Sequence, residues 1–308
     1  MRTTDWEGIA RQAEQNCGHA FAMVPDLPAD ISLEGFIRAA TDVGPLDHYK
    51  YFSDTARGMV ERVSASCGVS AARAFLRAAL GRTIGTWVSA RQYERLPPLC
   101  AYFHARQLNR IAHDIDASAD WLDLCDDLFQ KEFGIVSLRL YVAGAELVDY
   151  RCGIPRSIVV RAGVSKIMAN LAVMQRLGGF KPYFQSHLHA FNLDSFNEEG
   201  RNDLYRCCAE LYALHPECLG MFGSSWFYDP VLDRISPRLS YLRTIPLAGG
   251  AHLFYVQDGG EATSSAIAKS ATRRQLYEEG KYVPKTYTLV WGRKEQIKWS
   301  QAHPRPDA

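Results

Sequence analysis

Two histidines, two positions apart, are the residues of this sequence best suited to chemistry. His187 and His189 lie in the stretch Tyr183–Phe191, YFQSHLHAF, where apolar and polar residues alternate. Alternation is typical of a β-strand, and side chains two positions apart on a strand point to the same face. We therefore predict that both imidazoles project from one face of a sheet. Asn192 and Asp194 follow at the strand end, where α/β proteins usually build their sites.

This group of residues is compatible with three interpretations. In the first, which we prefer, the site contains no metal and His187 or His189 is a catalytic general base, while Asn192 and Asp194 bind substrate. In the second, His187, His189 and Asp194 bind a divalent metal ion with open coordination positions. In the third, both histidines form hydrogen bonds to neighbouring polar groups and are purely structural.

A second polar group lies in the next predicted strand, Leu219–Tyr228, whose sequence is LGMFGSSWFY. We predict that Ser224, Ser225 and Tyr228 contact a substrate. The alternative is that the serines bond only to the backbone. The surrounding residues do not match G-x-S-x-G, so a serine nucleophile on a sharp turn is not indicated.

A pair of arginines close to aromatic residues forms the third group. Arg273 and Arg274 precede Tyr277, and arginines beside aromatic rings suit the binding of a carboxylate, a phosphate or a ring. We include both arginines among the predicted substrate-binding residues. The competing interpretation is a solvated helix face beside core aromatic residues.

The composition argues against several classes of function. The 308 residues include 35 basic and 34 acidic side chains, so no basic excess indicates a nucleic-acid partner. No phosphate-binding glycine loop of either common type occurs, which argues against nucleotide hydrolysis and dinucleotide chemistry. No apolar stretch is long enough to span a membrane, and no membrane partner is expected. The eight cysteines lack paired spacing, so we expect reduced thiols and a cytoplasmic protein.

The elements that must position these residues change in character along the chain. Residues 33–131 have helical spacing, as in Leu76, Leu80, Ile84 and Trp87, whereas strands alternate with helices from 136 to 291. The first predicted strand is 136–142, followed by a turn at Gly144 and a hairpin partner at Glu146–Tyr150. We predict an α/β (α+β) fold in which a helical N-terminal part precedes a mixed sheet flanked by helices. The predicted domains are a helical part at 1–132 and a sheet domain at 133–300, with a tail at 301–308.

The order of elements from residue 183 to 257 resembles the C-terminal half of the GCN5-related N-acyltransferase (GNAT) fold. It runs strand 183–191, helix 196–215, strand 219–228, short helix 237–243 and strand 251–257. The resemblance implies acyl transfer and, by position, assigns Tyr241 the role of general acid. The loop that would receive the cofactor pyrophosphate reads LDSFNEEGRN, with a single glycine and two glutamates, so the cofactor stays unknown.

Together these observations predict an enzyme that acts on a small polar substrate. The reaction we favour is acyl transfer to an amine, with His187 or His189 as base and Tyr241 as acid. The partner would be a small-molecule or carrier-bound substrate, and oligomerisation or a protein partner is compatible with the sequence. The alternatives are a metal-dependent enzyme that uses the histidine pair and a non-catalytic binding or assembly protein.

Overall fold

The computed structural model describes residues 4–44 and 48–306, and these residues divide into two compact units. Unit 1 contains the chain as far as Arg151 together with Leu188–Asp194, and unit 2 contains Cys152–His187 and Ser195–Pro306. A mainly helical N-terminal part and a mixed sheet flanked by helices confirm the predicted α/β class. Within the two described ranges, no helix is both long and apolar enough to cross a membrane.

Unit 1 consists of helices that pack around one deeply buried helix, followed by a β-hairpin. Its elements are α1 (Trp6–Phe21), α2 (Leu33–Thr41), α3 (Asp54–Cys67), α4 (Val69–Ser89), α5 (Pro98–Asp114), α6 (Asp127–Val136), β1 (Leu140–Ala143) and β2 (Glu146–Cys152), of which the last residue, Cys152, belongs to unit 2. The predicted face of α4, from Leu76 to Trp87, is buried as expected. Phe36 packs against Phe75 and Phe133, with ring centroids 5.4 and 6.2 Å apart, and this aromatic contact joins α2, α4 and α6.

The hairpin begins later than its alternation predicted. We expected Val136 to open a strand, but α6 continues through Val136, and β1 starts at Leu140. The reason is a break in the backbone at Leu138, where φ is +56°, a conformation that no strand contains. The predicted turn at Gly144, also at φ +56°, and the predicted partner strand from Glu146 are both confirmed.

Unit 2 contains four strands, and helices precede, connect and follow them. The elements are α7 (Ile167–Arg176), β3 (Tyr183–Leu188), α8 (Glu198–Leu211), β4 (Gly220–Ser225), α9 (Leu232–Ile235), α10 (Tyr241–Ala248), β5 (His252–Asp258), α11 (Glu261–Ala268), α12 (Ala271–Glu278), β6 (Lys285–Gly292) and α13 (Arg293–Ala302). The strands of this unit lie in the order β3-β4-β6-β5, with β3 parallel to β4 and the other neighbours antiparallel. This arrangement brings the carboxyl ends of β3 and β4 to the same edge.

Two predicted strands are shorter than the alternation suggested. The strand predicted at 183–191 ends at Leu188 and continues as a short 3-10 turn, Ala190–Ser195. The strand predicted at 219–228 ends at Ser225, whose hydroxyl accepts the amide of Phe227 at 3.1 Å and starts another 3-10 turn. In both cases hydrogen bonds between residues close in sequence replace the hydrogen bonds between strands. The alternation of polar and apolar residues does not reveal this change.

Candidate functional site

His187 lies near the end of β3 in unit 2, close to a cysteine. Its nearest ring nitrogen and the Sγ atom of Cys152 lie within 4.8 Å of each other. His187 is half-buried, whereas Cys152 is 8% exposed and belongs to an apolar cluster with Tyr183 and Phe222. Tyr183 and His187 are four positions apart on one strand, so both face the side of the sheet that Cys152 packs against. A thiol and an imidazole at this separation form a candidate nucleophile and base.

The edge formed by β3 and β4 collects further polar side chains. Gln185 is paired with Phe222 in the parallel strands β3 and β4. His187 and Ser224 each lie two positions beyond this pair, so they occupy matching positions at the ends of the two strands. At Gly223, an added Cβ would lie 2.9 Å from both the Ser186 Oγ and the Tyr228 hydroxyl. The glycine therefore lets these two hydroxyl groups approach the backbone closely.

A buried arginine orders the aromatic hydroxyls at this edge. Arg201 on α8 is 1% exposed, and its Nη2 donates to the hydroxyls of Tyr205 and Tyr228, both at 3.1 Å. This contact explains why Tyr228, one of the predicted substrate-binding residues, is buried and fixed. Sequence reasoning missed Arg201, because an arginine in the first turns of an amphipathic helix is usually solvated.

The remaining predicted residues near the two strands have identifiable partners. The Oγ atom of Ser224, an exposed residue, lies 2.6 Å from the Thr288 hydroxyl, and Ser225 caps the turn that follows β4. Tyr241 is the first residue of α10, and its hydroxyl donates to the Phe196 carbonyl at 3.4 Å. Ser224, Ser225, Tyr228 and Tyr241 thus belong to unit 2 together with His187.

The two predicted arginines differ sharply in their surroundings. Arg273 is 4% exposed, and its guanidinium donates to the Ala266 carbonyl at 2.6 Å and to the Ser236 hydroxyl at 2.9 Å. It also lies over the Trp226 ring at 4.8 Å, and burial lowers its pKa. Arg274 is exposed and donates to the Ala268 carbonyl at 2.9 Å. Arg273 therefore stabilises the connection between α11 and α12.

His189 belongs to unit 1, where it contacts a buried ion pair. Its Nε2 lies 3.1 Å from Oε1 of Glu132, and its Nδ1 accepts the amide of Phe191 at 3.3 Å. Both ring nitrogens of His189 therefore face protein groups. Arg110 binds both carboxylate oxygens of Glu132, at 2.6 and 2.7 Å, so the carboxylate is neutralised where it is buried.

The same network contains Asn192 but not Asp194. The amide oxygen of Asn192 accepts a hydrogen bond from Gln107, which in turn accepts from Arg110 at 2.8 Å. Asn192 is buried, whereas Asp194 is exposed. Arg110, Glu132 and Gln107 were missed by sequence analysis, since they lie on helices α5 and α6, far along the chain from His189. No spacing rule connects them.

Searches against protein-family models, curated proteins and solved structures gave no match for this chain. The order of elements that suggested a GCN5-related acyltransferase is present from β3 to β5, with α8, α9 and α10 between the strands. Membership of that family stays a prediction.

Proposed function

We propose that this chain is an enzyme that transfers an acyl group to an amine through a thioester on Cys152, with His187 as the base. The observation that carries this proposal is the approach of the Cys152 Sγ to a ring nitrogen of His187, within 4.8 Å. Nucleophile and base are often separated by more than a hydrogen bond before substrate binds. The eight cysteines are all free thiols, which supports a cytoplasmic location for this chemistry.

The proposed reaction proceeds in two steps. The Cys152 thiol gives its proton to His187 as sulfur attacks the carbonyl carbon of an activated acyl donor, and the leaving group departs with that proton. The amine then attacks the thioester, His187 accepts the proton that the nitrogen loses, and the released thiolate recovers it. The products are an amide and the free enzyme. The donor would be a small or carrier-bound ester or thioester.

Ser224 and Tyr228 lie at and just after the carboxyl end of β4, beside the end of β3, and Tyr241 belongs to the same unit. Ser224 and Tyr228 would position the substrate, and Tyr241 would relay the proton from His187 to the leaving group, donating its own hydroxyl proton and recovering the one that His187 holds. His189 has no part in this proposal, because its two ring nitrogens face Glu132 and the Phe191 amide. We assign His189 and Asn192 a structural role in unit 1.

The test uses the wild-type protein with 4-nitrophenyl acetate as a small acyl donor. We expect a burst of nitrophenol and, by intact mass spectrometry, an acetyl adduct that added amines discharge. The matched control is Cys218→Ser, which removes another buried free thiol of unit 2. Cys152→Ser should abolish the adduct, and His187→Gln should slow its formation by about 100-fold or more, as removal of a general base does. An adduct that survives Cys152→Ser would refute the proposal.

A second candidate function rests on the same pair of atoms. Thiolate sulfur and imidazole nitrogen are preferred zinc ligands, and a separation within 4.8 Å allows both to reach one ion. Elemental analysis of the purified protein separates the two candidates. A near-stoichiometric transition metal that is lost in Cys152→Ser and in His187→Ala, but not in Cys218→Ser, would favour a metal-dependent enzyme over the thioester mechanism.

A further inference from the structure

One segment of unit 2 carries positive charge without any negative charge. Residues 153–182 contain five basic residues and no aspartate or glutamate. These residues are Arg156, Arg161, Lys166, Arg176 and Lys181, and all five are exposed. Across the described parts of the chain, none of the five has a carboxylate within ion-pair distance. The positive charge of this segment is therefore not balanced by its own residues.

The same segment exposes apolar side chains that a folded protein usually buries. Val164 is 85% exposed, Met168 76%, Val160 51% and Leu171 39%. Met168 and Leu171 are three positions apart on α7, so they lie on one face of that helix, and Val164 lies in the 3-10 turn immediately before it. Met174 is the buried residue of α7, and it packs in the apolar cluster that contains Tyr183 and Phe222.

We propose that this basic and apolar surface, residues 156–181, binds the surface of an anionic phospholipid bilayer. A helix whose apolar side chains are flanked by lysine and arginine is typical of segments that lie in the lipid headgroup region. The exposure of Val164 and Met168 shows that these side chains stand clear of their neighbours rather than line a groove. Such projecting side chains suit insertion into a deformable lipid phase better than docking to a preformed protein surface.

The charges and the apolar side chains contribute in different ways to this binding. Basic side chains near an anionic leaflet each strengthen binding by about fivefold, and salt weakens their contribution. Apolar side chains add affinity as they leave water, and salt does not weaken that part. Binding of this kind is peripheral and reversible, and it needs no membrane-spanning helix. The proposal therefore replaces the expectation of no membrane partner, which considered only membrane-spanning stretches. The proposal is independent of the acyl-transfer proposal.

The test is cosedimentation of the full chain with vesicles of phosphatidylcholine alone or mixed with phosphatidylglycerol. We expect binding to the mixed vesicles only, and weaker binding at high salt. Arg156→Gln/Lys166→Gln should weaken binding by about 25-fold, at about fivefold per charge. Val164→Ser/Met168→Ser should weaken it on the order of tenfold without changing the charge.

Two control variants change the same residue types elsewhere in unit 2. Lys269→Gln/Lys298→Gln removes two exposed lysines that lie outside residues 156–181, and Val283→Ser alters a valine that is 48% exposed. Both controls should bind as the wild type does. Three results would overturn the proposal: no binding of the wild type to the mixed vesicles, equal binding to pure phosphatidylcholine, or equal losses in the control and test variants. Circular dichroism spectra of all variants establish that each one is folded.

Discussion

The buried ion pair of unit 1 gives a sharp prediction for stability. Glu132 is fully buried, and Arg110, with a side chain 15% exposed, binds both of its carboxylate oxygens. Glu132→Gln keeps an oxygen atom beside the His189 ring but leaves the arginine charge without its partner. Removal of one partner of a buried pair typically costs about 3–5 kcal/mol. Because Arg110 is partly solvated, we expect a loss of about 3 kcal/mol.

The double variant isolates the interaction from the effects of each substitution. Arg110→Met removes the cation and leaves Glu132 as a buried, uncompensated carboxylate, so that variant should also lose about 3 kcal/mol. Arg110→Met/Glu132→Gln leaves neither charge, and we expect its total loss to be at least about 2 kcal/mol smaller than the sum of the single losses. The single and double variants together form a double-mutant cycle.

The assay is urea denaturation, with hydrogen exchange and mass spectrometry of the α5 and α6 peptides to locate the change in unit 1. The matched control is Glu7→Gln, which removes an exposed glutamate that lies 3.8 Å from Arg11. That substitution should change the free energy of unfolding by less than about 0.5 kcal/mol, because exposed pairs contribute little. A loss below about 1 kcal/mol in Glu132→Gln, or additive losses in the double variant, would refute the reasoning.

Two further predictions concern pH and packing. Burial lowers the pKa of His104 from 6.5 to about 4, so below pH 6.5 the unfolded chain binds a proton that the folded chain does not. The free energy of unfolding should therefore fall by up to about 3 kcal/mol as pH drops from 6.5 through about 4, and His104→Gln should flatten this dependence in urea titrations. Gly249→Ala would place a Cβ 2.2 Å from the Trp291 ring and should cost about 1–3 kcal/mol. Its control, Gly58→Ala in α3, meets nothing within 4 Å and should be stabilising by about 0.5–1 kcal/mol in thermal melts.

The fold class was predictable because the spacing of apolar residues reflects which face of a helix or strand is buried. That spacing can be read from the sequence over long stretches. The apolar spacing of α4 and the hairpin from Glu146 both follow from side-chain pattern. The errors all fall at element ends. A positive φ at Leu138 and a 3-10 turn after Leu188 interrupt the regular structure. In both places the alternation of polar and apolar residues extends beyond the strand that the structure contains. Pattern alone cannot locate such an end.

The candidate site was predictable in part, since residue type and placement at a strand end both pointed to His187. For its neighbour Cys152 the sequence predicts only a reduced thiol, and nothing in the sequence connects residues 152 and 187. The structural role of Arg273 was equally hidden. Its partners are the Ala266 carbonyl and the Ser236 hydroxyl, and no pattern in the sequence identifies either of them.

The two histidines that began the sequence argument have different surroundings, and the end of β3 is the reason. Spacing of two gives a common face only while the strand continues, and β3 ends at Leu188. The strand geometry that orients His187 therefore does not extend to His189. His189 belongs to unit 1, beside the Glu132–Arg110 pair. If His187 is catalytic and His189 is structural, His187→Gln should reduce acyl transfer without loss of stability. His189→Gln should reduce stability, which urea titration measures, while transfer per folded molecule stays unchanged.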